Sequence, residues 1–160
     1  MTELAPVELK IGDNAADFDL PRDGGGRVRL ADFAGKPLVI YFYPKDDTTA
    51  CTTESISFTA LAADFTKAGV ALLGVSPDSV KSHDKFVKKH ALSIPLAADE
   101  EKTMAMAYGV WREKSMYGRT YMGVVRSTFL IGADGRIVRI WDKVKVAGHA
   151  EEVLTAAKEL

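Results

Sequence analysis

The chain has 160 residues, a hydrophobic content of 47 % and 21 basic against 22 acidic side chains, which gives a formal net charge of -1. These values predict one domain over residues 1–160 with a sizeable core, and they give no electrostatic reason to expect a nucleic-acid or membrane partner. No stretch approaches the ~18 apolar residues of a membrane span, and the first residues lack the pattern of a signal peptide, so we expect a cytoplasmic protein.

The first half of the chain is predicted to begin with a hairpin and then to alternate strands and helices. Phe18–Leu20 and Val28–Leu30 flank three consecutive glycines, which is a hairpin signal. Residues 37–43 form a nearly continuous apolar run, typical of a central strand buried on both faces. Pro44 ends this run, and apolar residues then recur at helical spacing at Phe58, Leu61, Ala62 and Phe65. Cys51 is therefore predicted to lie near the start of the first helix.

The second half of the chain continues the alternation. Residues 70–75 predict a second buried strand, and Ser79 is a suitable cap for the helix that runs to His90. Further elements are expected at about 94–97 (strand), 100–108 (helix), 126–131 and 136–141 (hairpin) and 150–160 (helix). We interpret residues 111–123, which mix basic and aromatic side chains, as a partly exposed loop. This order predicts an α/β fold, a thioredoxin-like three-layer sandwich with a central mixed β-sheet and helices on both faces.

Cys51 is the only cysteine, which excludes an internal disulfide and a structural zinc site of the CxxC type. Its predicted position follows a central strand and falls in a first helical turn, at the edge where open α/β sheets bind ligands. Unpaired N–H groups and the helix dipole at that position favour a thiolate. The alternative is that Cys51 is a small apolar core residue. The threonines at positions 48, 49, 52 and 53 favour the reactive thiol.

The segment from Pro44 to Cys51 reads P-K-D-D-T-T-A-C and resembles the P-x-x-x-T-x-x-C active-site motif of the peroxiredoxins. Similar segments follow in the order of the bacterioferritin-comigratory, or peroxiredoxin Q, subfamily at Gly74–Ser79, His83–Phe86, Tyr108–Val110 and Arg126–Ile131. The resemblance covers roughly Leu9 to Leu160. It implies a thioredoxin fold and an antioxidant, thiol-dependent peroxidase that reduces hydrogen peroxide and organic hydroperoxides without a cofactor or a metal.

The resemblance also implies a role for each residue of the site. Cys51 becomes the nucleophile that is oxidised to a sulfenic acid, Thr48 a hydroxyl partner of the peroxide, and Pro44 a shield over the thiolate. Arg126 becomes the cation beside the sulfur, and Glu54 the carboxylate that holds Arg126. Breaking an O–O bond requires an ionised sulfur and hydrogen-bond donors for the leaving oxygen, so these residue types suit the chemistry. Taken singly, Thr48 is a helix cap, Pro44 a strand terminator, and Arg126 and Glu54 solvated charges.

The chain departs from the subfamily pattern in two ways. Thr49–Ala50 stands where many members have Pro-Gly, which alters the stiffness of the loop. More importantly, the chain lacks the second cysteine that resolves the sulfenic acid, at positions here occupied by Ile56 and Val87. We therefore expect a one-cysteine peroxidase, a monomer or weak homodimer, whose sulfenic acid reacts with an external thiol. Thioredoxin, glutaredoxin, glutathione and a second copy of the chain are the candidates.

The same residues bear on two alternative functions and on other candidate sites. A thioredoxin-type disulfide oxidoreductase needs two sulfurs, and Cys51–Glu54 offers one. A redox sensor or holdase that uses the oxidised cysteine to change partners stays open. The three histidines, at 83, 90 and 149, have no partner at ligand spacing and are expected at the surface. Two adjacent carboxylates in Lys45–Asp47 are weak evidence for a cation. The aromatic side chains of Trp111, Tyr117, Tyr121 and Trp141 are expected to serve packing.

Overall fold

The structure, a computed structural model, describes residues 8–160 and is organised around a five-stranded sheet with the strand order β5-β4-β3-β8-β9. The strands are β1 (Asp19–Pro21), β2 (Arg27–Arg29), β3 (Leu38–Phe42), β4 (Ala71–Ser76), β5 (Leu96–Ala98), β6 (Trp111–Met116), β7 (Arg119–Val124), β8 (Ser127–Ile131) and β9 (Ile137–Trp141). The helices are α1 (Thr49–Lys67), α2 (Val80–His90), α3 (Thr103–Ala107) and α4 (His149–Lys158), and Leu30–Phe33 form a 3-10 turn.

Strand β3 lies at the centre of the sheet, as its apolar run predicts. It pairs in parallel with β4 and antiparallel with β8, and all five of its residues are buried. Successive side chains point to opposite faces, so Val39 and Tyr41 pack in one core cluster while Ile40 and Phe42 pack in the other. A strand buried on both faces needs no polar alternation, which is why its sequence is continuously apolar.

The two core clusters correspond to the two faces of the sheet. Apolar side chains of α1, α2 and α4, including Phe58, Phe86 and Val153, pack on one face. Side chains of α3, of the β1–β2 hairpin and of the base of the β6–β7 hairpin, including Met104, Val28 and Val124, pack on the other. The predicted mixed sheet with helices on both faces is thus present. No helix within residues 8–160 has the length and apolar character needed to cross a membrane.

The sheet brings distant parts of the chain to one edge. Strands β3 and β4 run in parallel, and the loop after β3 leads into α1 at this edge. Strand β8 runs antiparallel to β3 and its first residue, Ser127, pairs with Phe42 at the end of β3. Arg126, which immediately precedes β8, is therefore placed beside the start of α1. The antiparallel pairing is the physical reason that an arginine far along the chain reaches Cys51.

The prediction of a loop at residues 111–123 was wrong, because this segment forms the antiparallel β6–β7 hairpin. Its turn is Tyr117–Gly118, in which both residues have positive φ values of 53° and 76°. Such a two-residue turn usually carries Asn or Asp before glycine, and a tyrosine conceals the signal. Most of the hairpin is partly exposed on both faces, so its side chains lack the apolar alternation from which strands are predicted.

Helix α3 is shorter than the predicted helix over residues 100–108. It begins at Thr103 because Lys102 adopts a left-handed backbone conformation, with φ of 62°, just before it. The carboxylate of Asp99 accepts hydrogen bonds from the backbone N–H groups of Met104 and Ala105 at 3.1 and 2.8 Å. These bonds satisfy donors in the first turn, which fixes where the helix starts.

Candidate active site

Cys51 is the third residue of α1, and its side chain is completely buried. The first intrahelical bond runs from the N–H of Thr52 to the carbonyl of Thr48, so the N–H groups of residues 49–51 have no acceptor within the helix. Arg126 donates a hydrogen bond from Nη2 to the sulfur of Cys51 over 3.2 Å. The sulfur thus lies between a helix N-terminus, which carries a partial positive charge, and the positively charged guanidinium of Arg126.

Glu54 lies one helical turn after Cys51 and holds the other arm of the same guanidinium. Arg126 donates from Nη1 to Oε1 of Glu54 over 2.7 Å, and the glutamate side chain is 1 % exposed. Burial raises the pKa of Glu54 to about 7, although the neighbouring Arg126 guanidinium lowers it. Its second oxygen, Oε2, is buried without a hydrogen-bond partner among the described residues. One planar guanidinium therefore bridges the carboxylate and the sulfur.

Thr48 and Pro44 lie in the loop between β3 and α1. Pro44 follows the strand and is partly buried, whereas Thr48 is exposed. The hydroxyl of Thr48 donates to the carbonyl of Lys45 over 2.8 Å and makes no side-chain cap bond to α1. The structure thus joins Cys51, Arg126 and Glu54 by direct contacts and places Thr48 and Pro44 in the segment that leads to the helix.

The same loop is fastened to α2 by a buried cluster that the sequence interpretation missed. The carboxylate of Asp46 accepts hydrogen bonds from Tyr43 Oη (2.6 Å) and Ser82 Oγ (2.8 Å), and lies 2.7 Å from His83 Nδ1. Asp46 and His83 are 37 positions apart, so no local pattern pairs them. One sequence feature could have indicated that His83 is buried. It lies three residues before the apolar Phe86, and this spacing places both side chains on the inner face of α2.

The expectation of surface histidines was therefore wrong for His83 and His149. His83 is fully buried, and His149 is 4 % exposed, with Nε2 placed 2.8 Å from Thr128 Oγ1. Burial lowers the pKa of His149 to about 4, with a smaller contribution of the same sign from the Arg126 guanidinium and an opposing one from Glu152. Both histidines are buried because each ring nitrogen that faces the interior finds a polar partner.

The cluster of Asp46, Asp78 and His83 has the donor types of a metal site, with ligand atoms within 4.8 Å of one another. Protein groups already engage these atoms. His83 Nε2 lies 2.9 Å from the carbonyl of Ala97, and Asp78 Oδ2 accepts from the N–H of Asp46 and the hydroxyl of Ser76 at 2.8 and 2.6 Å. The cluster fits a hydrogen-bond network better than a cation site.

A cavity of about 800 Å³ opens at the opposite edge of the sheet. It is lined by residues that precede β3, follow β8 or end α1 and α4, among them Pro37, Lys67, Asp134 and Lys158. None of its lining residues is a thiol, histidine or arginine, so this cavity is separate from the chemistry at Cys51.

Comparison with known proteins identifies the family. Residues 11–140 match the sequence profile of the AhpC/TSA family, and the chain belongs to this family. Peroxiredoxin Bcp from Xanthomonas campestris pv. campestris is 52 % identical over 146 residues, which cover 90 % of this chain and 91 % of that protein. Peroxiredoxin Bcp from Bacillus subtilis is 44 % identical over 154 residues, covering 96 % of this chain and 98 % of that protein.

Solved structures give the same result. X. campestris peroxiredoxin Q superposes with a TM-score of 0.85 at 50 % identity, covering 89 % of this chain and 90 % of that one. Peroxiredoxin Q from Xylella fastidiosa superposes with a TM-score of 0.90 at 42 % identity, covering 94 % and 96 %. These matches confirm the predicted thioredoxin fold, the resemblance to the bacterioferritin-comigratory subfamily and the assignment as a thiol-dependent peroxidase.

Proposed function

We propose that this peroxidase reduces hydrogen peroxide and organic hydroperoxides at Cys51 and is returned to its reduced form by an external thiol. The observation that carries this proposal is the bridge of Arg126 between Cys51 and Glu54, in a chain whose only sulfur able to form a disulfide is Cys51. A structure of the X. campestris bacterioferritin comigratory protein, 49 % identical, is described for alkyl peroxide reduction. That description supports organic hydroperoxides as substrates here.

In the first step the thiolate of Cys51 attacks the terminal oxygen of the hydroperoxide. An S–O bond forms and the O–O bond breaks, and its electron pair leaves with the second oxygen, which takes up a proton to give water or an alcohol. The sulfur is oxidised to a sulfenic acid and the peroxide is reduced. The leaving oxygen gains negative charge as the bond breaks, so the step is accelerated by donors directed at that oxygen.

The contacts of the site suggest how its residues divide this work. Arg126 is already within hydrogen-bond distance of the sulfur and supplies the positive charge for the leaving oxygen. The hydroxyl hydrogen of Thr48 is donated to the carbonyl of Lys45, so its oxygen is free to accept the O–H of the peroxide and orient it. Pro44 shields the thiolate from water, and Glu54 fixes the angle of the guanidinium.

The second step needs a thiol from outside the chain. Among the X. campestris structures are two cysteine-to-serine variants, substituted at positions as far apart in that protein as Cys51 and Val87 are here. This spacing supports Val87 as the position where a relative carries its second cysteine. An external thiol attacks the sulfenic acid, which releases water and leaves a mixed disulfide with Cys51. A second thiol of the reductant then attacks this mixed disulfide, which frees Cys51 and gives the reductant in its disulfide form.

Thioredoxin, glutaredoxin and glutathione are the proposed reductants. A compartment with an abundant thiol pool suits this requirement, which supports the predicted cytoplasmic location. A second copy of the chain meets the same need only if two Cys51 sulfurs approach each other. With Cys51 completely buried, we propose that the working form is a monomer or a weak homodimer rather than a disulfide-linked pair.

A steady-state assay with hydrogen peroxide and an alkyl hydroperoxide, each with thioredoxin, glutaredoxin or glutathione and their recycling systems, tests the proposal. We expect continuous turnover with at least one reductant and no intramolecular disulfide. Stoichiometric oxidation followed by slow recovery with every thiol would contradict it and favour the redox sensor. Size-exclusion chromatography before and after oxidation reports the oligomeric state.

A further inference from the structure

Asp46 and His83 form a buried polar pair that no step of the peroxidase reaction uses directly. Asp46 is 7 % exposed and His83 is fully buried, so both groups lose their hydration. Each is compensated by specific partners, three side chains for Asp46 and two oxygens for His83. Burying charged groups is costly unless their hydrogen bonds are complete, and complete networks of this kind specify one geometry.

The contacts of His83 define its protonation. Nε2 lies 2.9 Å from the carbonyl of Ala97, which can only accept, so this nitrogen carries a hydrogen. Nδ1 lies 2.7 Å from a carboxylate oxygen of Asp46, which also calls for a donor. Burial opposes the charge on the ring, but the hydrogen bond and the charge of Asp46 outweigh it and raise the pKa of His83. Both ring nitrogens thus face oxygen acceptors, which is the arrangement that a protonated imidazole ring requires.

The pair connects α2 with the loop that leads into the active site. Asp46 lies between Pro44 and Thr48, both of which contribute to the proposed chemistry. The next residue, Asp47, has a left-handed backbone with φ of 60° and contacts Lys89 and His90 near the end of α2 at 2.7 and 2.8 Å. A non-glycine residue in this conformation costs free energy, so the loop needs such anchors to keep its shape.

The burial of Cys51 creates a conflict between the two steps of the reaction. A small peroxide needs the sulfur, the helix N-terminus and Thr48 in a fixed arrangement. A thiol on glutathione or on a protein must approach the oxidised sulfur closely, yet the Cys51 side chain is 0 % exposed. The loop must therefore be held in place for the first step and displaced for the second. The contacts between residues 44–48 and α2 have to be strong enough to hold the loop and weak enough to release it.

We propose that His83 is a positioning residue of the peroxidase reaction, which through Asp46 holds the loop of residues 44–48 in the arrangement needed for attack on the peroxide. Displacement of the loop from His83 then exposes the sulfenic acid to the incoming thiol. The second part rests on the proposed external thiol, whereas the first part concerns only the reaction with peroxide. The two parts predict effects of opposite sign.

The test measures the two half-reactions separately in wild type, His83→Ala and His83→Asn. Oxidation of reduced protein by peroxide is followed in stopped flow by tryptophan fluorescence. Reduction of freshly oxidised protein is followed with glutathione and with reduced thioredoxin. His83→Ala is expected to slow oxidation about tenfold and to speed reduction by thioredoxin several-fold. His83→Asn retains a donor near Nδ1 and is expected to recover part of the oxidation rate.

Val153→Ala is the matched control, because it makes a cavity in the buried face of α4 without touching the loop. It is expected to lower the unfolding temperature and leave both half-reactions unchanged.

If His83→Ala fails to fold, Ser82→Ala is the second variant. It removes one of the three donors to Asp46 from a partly exposed position and is expected to shift both rates in the same directions as His83→Ala. An unchanged oxidation rate in a folded variant, or a loss of both rates together, overturns the proposal. Wild type that no thiol reduces contradicts the external reductant but leaves the oxidation test of His83 intact.

Discussion

The guanidinium of Arg126 contacts the sulfur of Cys51 and the carboxylate of Glu54 at the same time, at 3.2 and 2.7 Å. If only the sulfur or only the carboxylate were present, the long side chain of Arg126 could adopt several rotamers. The glutamate fixes one arm, so the other arm stays beside the sulfur and costs little entropy when the transition state forms. At the scale of single residues, the proposed roles of Arg126 and Glu54 depend on this bridge.

Replacing Cys51 by serine is expected to lower peroxidase activity by at least about a thousandfold, because an alcohol is not appreciably ionised and does not attack the O–O bond. The change is one atom in a first helical turn, and we expect the unfolding temperature to change by only a few degrees. A peroxide-consumption assay and circular dichroism check the two statements. Residual turnover above a few per cent in a folded variant would place the chemistry elsewhere.

Replacing Arg126 by methionine is expected to slow the reaction with peroxide about 100-fold, even at a pH at which the thiol of Cys51 is fully ionised. The reason is that the lost charge acts on the leaving oxygen, where one such donor contributes about 2–4 kcal/mol. Stopped-flow rates across the pH range measure it. Arg139→Met, at an exposed arginine that lies over Trp141, is the control. If high pH restores the full rate, the arginine acts only by promoting ionisation.

At the scale of elements, α1 presents Cys51 from its first turn, and the loop before it is held against α2. A second cysteine placed five residues after Cys51 cannot form a disulfide with it while α1 is intact, because the two Cα atoms are too far apart. Residues five apart in an α-helix have Cα atoms roughly 9 Å from each other, beyond the ~7 Å limit for a disulfide. Ile56, five residues after Cys51 and 44 % exposed, reaches the sulfur only when the first turns of α1 unwind.

Ile56→Cys is expected to form an intramolecular disulfide with Cys51 after one equivalent of peroxide, and to resist overoxidation about tenfold better than wild type. Mass spectrometry and thiol counting measure both. Ala60→Cys, also exposed on α1 but more than two turns away from Cys51, is the control and should form no such bond. Should Ile56→Cys behave like that control, either the assigned resolving position or the ability of α1 to open is wrong.

The buried His83 makes the stability of helix α2 dependent on pH. The ring of Tyr43 lies beside that of His83. Burial opposes a charge on the histidine ring, but Asp46, the carbonyl of Ala97 and Asp78 outweigh it, so the folded-state pKa of His83 is raised. The contribution of His83 to the free energy of unfolding is therefore complete below the ordinary histidine pKa of about 6.5 and is lost as pH rises through the higher folded value.

Urea unfolding between pH 6 and pH 9 tests this sign. The difference in unfolding free energy between wild type and His83→Asn is expected to shrink as pH rises through the ordinary histidine pKa and the higher folded-state pKa of His83. A difference that stays constant across the range would mean that His83 is neutral in the folded protein.

At the scale of the whole molecule, the chain of 160 residues has a single cysteine, so no second thiol within the chain shortens the lifetime of the sulfenic acid at Cys51. A second peroxide therefore competes directly with the external thiol for the same oxidised sulfur. We expect the fraction of sulfinic acid after a fixed number of turnovers to follow the ratio of peroxide to thiol. Intact-mass spectrometry after titration of that ratio measures it. Inactivation that is independent of thiol concentration would contradict the prediction.

Apart from the β6–β7 hairpin, the sequence by itself determined the order of the strands and helices, the central position of β3 and the place of Cys51 at the start of α1. These features depend on local periodicity, on strand terminators and on caps, and they are legible within about ten residues. The spacing of the motif from Pro44 to Cys51 also identified the family. The residues that lie far away in the chain had weaker signals, and Arg126 read alone as a surface charge.

Tertiary structure decided the rest. Antiparallel pairing of β8 with β3 carries Arg126 across 75 positions to Cys51, and packing of α2 buries His83 on Asp46. The β6–β7 hairpin forms although its sequence lacks apolar alternation, because the backbone pairing and its two-residue turn suffice for a mostly exposed ribbon anchored by Val124. A polar side chain is buried or exposed according to the partners that the fold brings to it, and those partners are not neighbours in the sequence.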